Sequence, residues 1–248
     1  MGRRFNCWLI VMGALTLVFG VCTWLFRDSR GNADFYEGSN TVEMCDVIEL
    51  DLLKCSVELI PYDGDEIRFE YRSLVPIVVM KGDNRLVVTE SDEFKLSFLT
   101  GDETEFGFML YLPEHVYDSV TVYTSSGSVS ANGISADQLN IITKSGNIDV
   151  EGCDGLVRLT SGTGDVTLSF DEITEGSGVE VRSGDAEIII PEGSSVALSY
   201  ETETGEFKSD MISGSVDGSY MFSFSGGERL IYADVATGTL TVSEKTGE

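Results

Sequence analysis

Six times in the second half of this chain, a serine or threonine followed by glycine separates two short apolar runs. The copies are Ser126-Gly127, Ser145-Gly146, Ser161-Gly162, Ser183-Gly184, Thr204-Gly205 and Thr237-Gly238. The glycines of the first five lie 19, 16, 22 and 21 residues apart. A period near twenty is too short for an independent folding unit and too regular for unrelated loops. It predicts rungs that stack and bury a shared aliphatic stripe none could bury alone. Glycine suits the corner because it adopts positive φ without a steric penalty, and the hydroxyl residue before it can bond to nearby backbone. Gly127, Gly146, Gly162, Gly184, Gly205 and Gly238 are therefore the expected structural turn residues.

Around these corners apolar residues alternate with polar ones, as in Val166, Leu168 and Phe170, Ala186, Ile188 and Ile190, and Val196, Leu198 and Tyr200. Period-two spacing is that of half-buried strands. Beyond residue 40 no segment sustains helical spacing. From Thr41 to about Pro113 the strands are longer and the turns irregular. Asp63-Gly64 and Gly82-Asp83-Asn84 are hairpin candidates between Val57–Ile60 and Ile67–Tyr71, and between Ile77–Met80 and Leu86–Thr89. The expected fold is all-β, a solenoid or roll-like stack of short strands with an antiparallel N-terminal part.

Before the strands comes an uncharged run, Cys7 to Phe26. Twenty residues at about 1.5 Å each make a helix of roughly 30 Å, the thickness of a bilayer core. A cleaved signal sequence usually has a shorter apolar region of about 7–15 residues, and Phe19-Gly20-Val21-Cys22 matches a lipoprotein processing site only loosely. The predicted organisation is a cytoplasmic tail 1–6, a single transmembrane helix 7–26, a linker 27–40 and an extracytoplasmic domain 41–248. Arg3, Arg4 and the amino terminus face Arg27 and Arg30 across the span, a narrow margin that favours N-terminus in and domain out.

After residue 26 there are 42 acids and 14 bases, a net charge of −28. Nucleic acid is an unsuitable partner, because phosphate backbones are bound by concentrated Lys and Arg. Cys7 and Cys22 lie in the apolar run. Cys45 and Cys55 are a candidate disulfide in an oxidising exterior, and two packed thiols fit the same positions. Cys153 reads as structural.

The exterior has one histidine, His115, next to a strand end, with no nucleophile and orienting group marked around it. No Cys or His pair has metal-site spacing. Gly162-Thr163-Gly164-Asp165 and Asp63-Gly64-Asp65 are fragments of calcium-loop composition that lack the remaining ligands and read as turns. Paired carboxylates could hydrolyse a glycan, but with so many acids chance pairs are expected. No catalytic, cofactor-binding or metal-binding residue and no cofactor is expected.

Phe108-Met109-Leu110-Tyr111-Leu112-Pro113, Val120–Gly127, Leu139–Ile148 and Leu156–Gly162 together resemble the putative-adhesin family of bacterial β-strand-repeat proteins. The resemblance covers roughly residues 41 to 243. It implies a right-handed or roll-like β-solenoid on an N-terminal membrane segment, in some members linked to envelope-stress regulation, and it brings no catalytic residues. The leading expectation is a non-enzymatic envelope scaffold or interaction module in the cell membrane. Its partners are a cell-envelope component or neighbouring membrane protein, and the bilayer through the N-terminal helix. An accessory to a stress-sensing system, a surface adhesin, and a glycan or peptide hydrolase are the alternatives.

Overall fold

A strand with aliphatic residues on one face must lay that face against another sheet, and a run of such strands joined by sharp corners can supply both sheets itself. The computed structural model describes residues 36–91, 107–174, 176–209, 220–224, 227 and 229–245. Within them the regular elements are strands only. They are β1 (Tyr36–Glu43), β2 (Val47–Leu52), β3 (Ser56–Tyr62), β4 (Glu66–Ser73), β5 (Ile77–Lys81), β6 (Arg85–Glu90) and β7 (Gly107–Pro113). Next come β8 (Ser119–Thr124), β9 (Val129–Asn132), β10 (Ser135–Thr143), β11 (Ile148–Glu151), β12 (Asp154–Ser161), β13 (Val166–Ser169) and β14 (Ser177–Ser183). The last are β15 (Ala186–Pro191), β16 (Val196–Glu201), β17 (Glu206–Ser209), β18 (Tyr220–Phe224), β19 (Arg229–Thr237) and β20 (Thr239–Lys245). Among the described residues no helix is long and apolar enough to cross a membrane. The expected span 7–26 lies outside them.

The strands form two ten-stranded sheets. Sheet A has the order β1-β4-β7-β3-β9-β11-β13-β15-β20-β17, and sheet B the order β18-β16-β19-β14-β12-β10-β8-β2-β6-β5. Most rungs are one strand of B followed across a corner by one of A: β2/β3, β8/β9, β10/β11, β12/β13, β14/β15, β19/β20 and β16/β17. Successive rungs pair in parallel. This is a flattened two-sided solenoid, and its interior is a set of side-chain columns. One column in sheet B runs Val88, Leu50, Val122, Ile141, Leu159, Val179, Ala233 and Tyr200, each residue opposite the next. All eight are buried. A fully buried aliphatic side chain contributes about 1.5–3 kcal/mol, so the stripe holds the rungs together.

The N-terminal part is mixed rather than antiparallel. The β5–β6 hairpin around Gly82-Asp83-Asn84 forms as expected, and β1–β4 and β4–β7 are antiparallel. However, β2 pairs in parallel with β6 and β8, and β3 with β7 and β9. The expected hairpin between Val57–Ile60 and Ile67–Tyr71 does not pair: β7 separates β3 from β4. A parallel neighbour with Phe108, Leu110 and Leu112 pointing inward continues the buried columns, and this outcompetes the local turn. Strand β1 starts at Tyr36 and takes in the last residues of the stretch expected as linker.

At the other end the last sequence copy, β19/β20, is not terminal but slots between β14/β15 and β16/β17. The cap is β18, antiparallel to β16 at the edge of sheet B.

Cys45 and Cys55 are free, buried thiols. They precede and follow the same strand, β2, whose six residues span about 3.3 Å each. A disulfide needs Cα atoms within about 7 Å, so the candidate bridge is excluded by the strand between them.

Candidate functional site

On the outer face of sheet A, strands β1, β4, β7, β3, β9 and β11 enclose an open trough of ≈ 890 Å³. Period-two alternation puts apolar residues inside and small or charged ones outside, and pairing sets the latter in rows. One row runs Glu37, Arg72, Gly107, Ser56, and the next Ser39, Glu70, Met109, Glu58, Ser130 and Asp149. Gly107 carries no side chain, and a Cβ there would lie 3.9 Å from the nearest atom, the Ser56 carbonyl oxygen. The floor is therefore low at Gly107, Ser56 and Ser128. One wall is the Arg72 Nε–Glu37 Oε1 ion pair at 3.0 Å. Beyond the trough's end, Arg68 bonds Glu70 at 2.6 Å and lies 4.6 Å from the Tyr111 ring centroid, which Tyr62 meets edge-on. Hydroxyls, carboxylates and paired guanidiniums suit the holding of an extended polar ligand by hydrogen bonds.

The predicted turn glycines cluster at one corner of the stack. A Cβ on Gly127 would meet the Cys55 carbonyl oxygen at 2.2 Å, and one on Gly146 that of Gly127 at 2.2 Å. Gly164 meets Gly146 at 2.3 Å, Gly184 meets Gly164 at 2.3 Å, Gly238 meets Gly184 at 1.9 Å, and Gly205 meets Gly238 at 2.6 Å. Each glycine is the seat for the carbonyl of the rung below. Gly162 is not in this column; its place is taken by Gly164 (φ 137°), two residues later. Positive φ accounts for Gly146, Gly164, Gly184 and Gly238 but not for Gly127, Gly162 or Gly205. Close approach of stacked backbones is the requirement common to the column.

The hydroxyls that fix the corner are mostly three residues before the column glycine. Thr124 Oγ1 donates to the Cys55 carbonyl at 3.4 Å, Thr143 Oγ1 to that of Gly127 at 3.4 Å, and Ser161 Oγ to that of Gly146 at 3.3 Å. On the solvent side the residue after each glycine forms a second ladder. Ser128 N donates to Ser56 Oγ, Asn147 N to Ser128 Oγ, Asp165 N to Asn147 Oδ1, Asp185 N to Asp165 Oδ1 and Thr239 N to Asp185 Oδ1, at 2.7–3.3 Å. The Gly162–Asp165 fragment thus uses its aspartate to join rungs.

A family model described as Toastrack DUF4097 matches residues 87–242, more than half of the chain. The chain belongs to the Toastrack DUF4097 family. Among solved structures, a putative cell adhesion protein from Clostridium sporogenes is 12% identical, with a TM-score of 0.51 over 86% of this chain and 100% of its own. A putative adhesin from Bacteroides fragilis is also 12% identical, with a TM-score of 0.48 over 86% of this chain and 98% of its own. At such identity the Clostridium likeness is one of fold. No curated protein matches the chain.

One group in this Toastrack domain escapes sequence reasoning. Glu90, at the end of β6, is only 7% exposed. Its Oε2 accepts the backbone N–H groups of Leu53 and, at 2.9 Å, Lys54. Its Oε1 accepts the Cys55 thiol at 3.0 Å and the Ser73 hydroxyl at 2.7 Å. The carboxyl thereby closes the β2–β3 corner. A signal was present: Leu86, Val88 and Glu90 alternate, so the acid stands where a third inward residue belongs. Burial, reinforced by Glu90, pushes the Cys55 thiol far above its ordinary range, and burial raises Cys153 to about 11. Neither is a ready nucleophile at neutral pH.

His115 ties strand ends together. Its Nε2 lies 2.9 Å from Asp46 Oδ1, and Asn84 binds the same aspartate. The Asn84 and then the His115 hydrogen bonds hold the Asp46 carboxyl below its usual range. Among the described residues no group of three or more His, Cys, Asp or Glu side chains is placed to hold a metal.

On the outer face of sheet B, Glu180, Asp234 and Glu201 stand in one row on adjacent strands. Partial burial and then Glu201 and Glu203 raise the Asp234 pKa. An acid whose folded pKa is raised opposes folding when ionised, so this penalty is present above the folded pKa and fades as pH falls through it. Directly opposed like charges cost about 0.2–1 kcal/mol. Asp234→Asn is expected to stabilise the protein by roughly 0.5 kcal/mol at neutral pH, with the gain shrinking on acidification, as read from urea unfolding at a series of pH values.

Proposed function

We propose that this chain is a non-enzymatic interaction module of the cell envelope, held in the membrane by the apolar segment 7–26 with its solenoid domain outside. The trough on sheet A carries this reading. It is an open surface on a frame of stacked strands, and it gathers the charged side chains Glu37, Glu58, Glu70, Arg72 and Asp149 beside exposed serines and the apolar Met109. Its openness suits a partner that lies across strands, such as a wall component or a neighbouring membrane protein. The Clostridium structure is named as a putative cell adhesion protein, which favours contact with a surface as the role of such a face.

Gly107 offers the test. A tyrosine at this position fills the floor of the trough while pointing away from the core. With a photo-crosslinking amino acid in place of Ser130, intact cells are expected to yield an adduct with an envelope component. Gly107→Tyr should reduce that adduct several-fold at unchanged protein level. An adduct indifferent to Gly107→Tyr, or none at all, rejects the trough as the contact face.

A further inference from the structure

Strand β1 is the edge of sheet A and begins at Tyr36, and β5, joined to β4 by a short link, is the edge of sheet B at the same end of the stack. Only nine residues, 27–35, separate β1 from the apolar run ending at Phe26. Fully extended they reach at most about 30 Å. Tyr36, at the β1/β5 end, is therefore tethered within about 30 Å of the apolar run.

Two further features mark that end. Val78 and Met80 on β5 are 44% and 53% exposed, on a strand whose outer edge pairs with nothing among the described residues. Lys81 follows Met80 directly, and Arg85 on the neighbouring strand is ion-paired with Glu49. Residues 66–90, which make up β4, β5 and β6, contain four bases and four acids. This stretch is neutral, so the −28 charge resides elsewhere in the exterior.

We infer that the β1/β5 end of the solenoid rests on the bilayer surface, with Val78 and Met80 at headgroup level and Lys81 toward phosphate. The inference rests on the membrane-anchored reading above. Strand β1 adds Glu37 and Glu43 and no base, so this end carries only −2 of the exterior's −28. Anionic headgroups repel an acidic surface over about a Debye length, and this is the end that can approach. Apolar side chains at the interface gain by burial between headgroups. At that depth water and headgroups remain available to the unpaired N–H and C=O groups of β5, which the hydrocarbon core could not satisfy.

The test uses the full chain in vesicles of phosphatidylcholine containing phosphatidylglycerol, with a benzophenone amino acid replacing Met80, Ile142 or Lys208 in turn. Ile142 is exposed in mid-stack on the same outer face, and Lys208 lies on β17 at the far end. Lipid adducts are expected at position 80, several-fold above those at 142 and 208. Met80→Asp placed beside a probe at position 78 should reduce the adducts there. Equal yields at all three positions, no lipid adduct at 80, or protein adducts between two copies at 80 each overturn the inference. A carbonate wash separates the two readings. Release from vesicles shows that the anchor itself fails and takes this inference with it, whereas retention without lipid adducts at 80 defeats the orientation alone.

Discussion

Gly164→Ala is expected to be among the most damaging single-methyl additions this protein can receive. The new Cβ would lie 2.3 Å from the Gly146 carbonyl oxygen and 2.7 Å from its carbon, at a residue with φ of 137°. Both contacts are backbone atoms, so no side chain can swing aside. The column above and below is built the same way, which leaves the rung no free direction in which to shift. Overpacking costs about 1–3 kcal/mol and a forbidden backbone region about 1–2 more. A loss of roughly 3–4 kcal/mol is expected, a large part of a domain's usual 5–15 kcal/mol stability. Gly178→Ala is the matched control. No atom lies within 4 Å of its added Cβ, and the change should fall within about 0.5 kcal/mol of neutral. Urea unfolding of both variants in detergent checks the pair. Equal stability of the two would show that the glycine column is not a steric requirement.

Glu90→Ala is expected to have a comparable effect by a different route. It removes the acceptor from the N–H groups of Leu53 and Lys54, the Cys55 thiol and the Ser73 hydroxyl, at a site closed to solvent. A buried donor left unsatisfied costs about 1–3 kcal/mol. Some of the four can be rescued by water entering the space of the lost side chain, so a total near 3 kcal/mol is expected. Glu90→Gln retains the carbonyl acceptor and turns an amide toward the remaining donors, and it should lose about half as much. Because the carboxyl closes the β2–β3 corner, amide exchange should speed up first at Leu53 and Lys54. Uniform exchange across the domain in Glu90→Ala would mean that the residue acts only on global stability.

Both predictions concern features only partly legible beforehand. The alternation in Val166, Leu168 and Phe170 placed strands and inward faces correctly, because a side chain's face depends only on its position along its own strand. The Ser-Gly copies located the corners for the same local reason. The choice between Gly162 and Gly164 was not local: both lie in one turn, and only the carbonyl of the rung below selects the one that must lack a Cβ. The trough was hidden for a related reason. Glu37, Ser56, Arg72 and Gly107 come from four separate strands and Ser128 from the corner before a fifth, and they become neighbours only through pairing.

The amino-acid sequence alone determined that this chain makes short alternating strands, turns them at glycine, and stacks its copies into an all-β domain. It could not determine which strand lies beside which. The tertiary structure placed β7 between β3 and β4, inserted the last copy inside the stack, and held Cys45 and Cys55 at opposite ends of β2. Backbone hydrogen bonds are alike for every partner, so neighbours are chosen by how completely the whole interior closes. That quantity exists only once all the rungs are assembled.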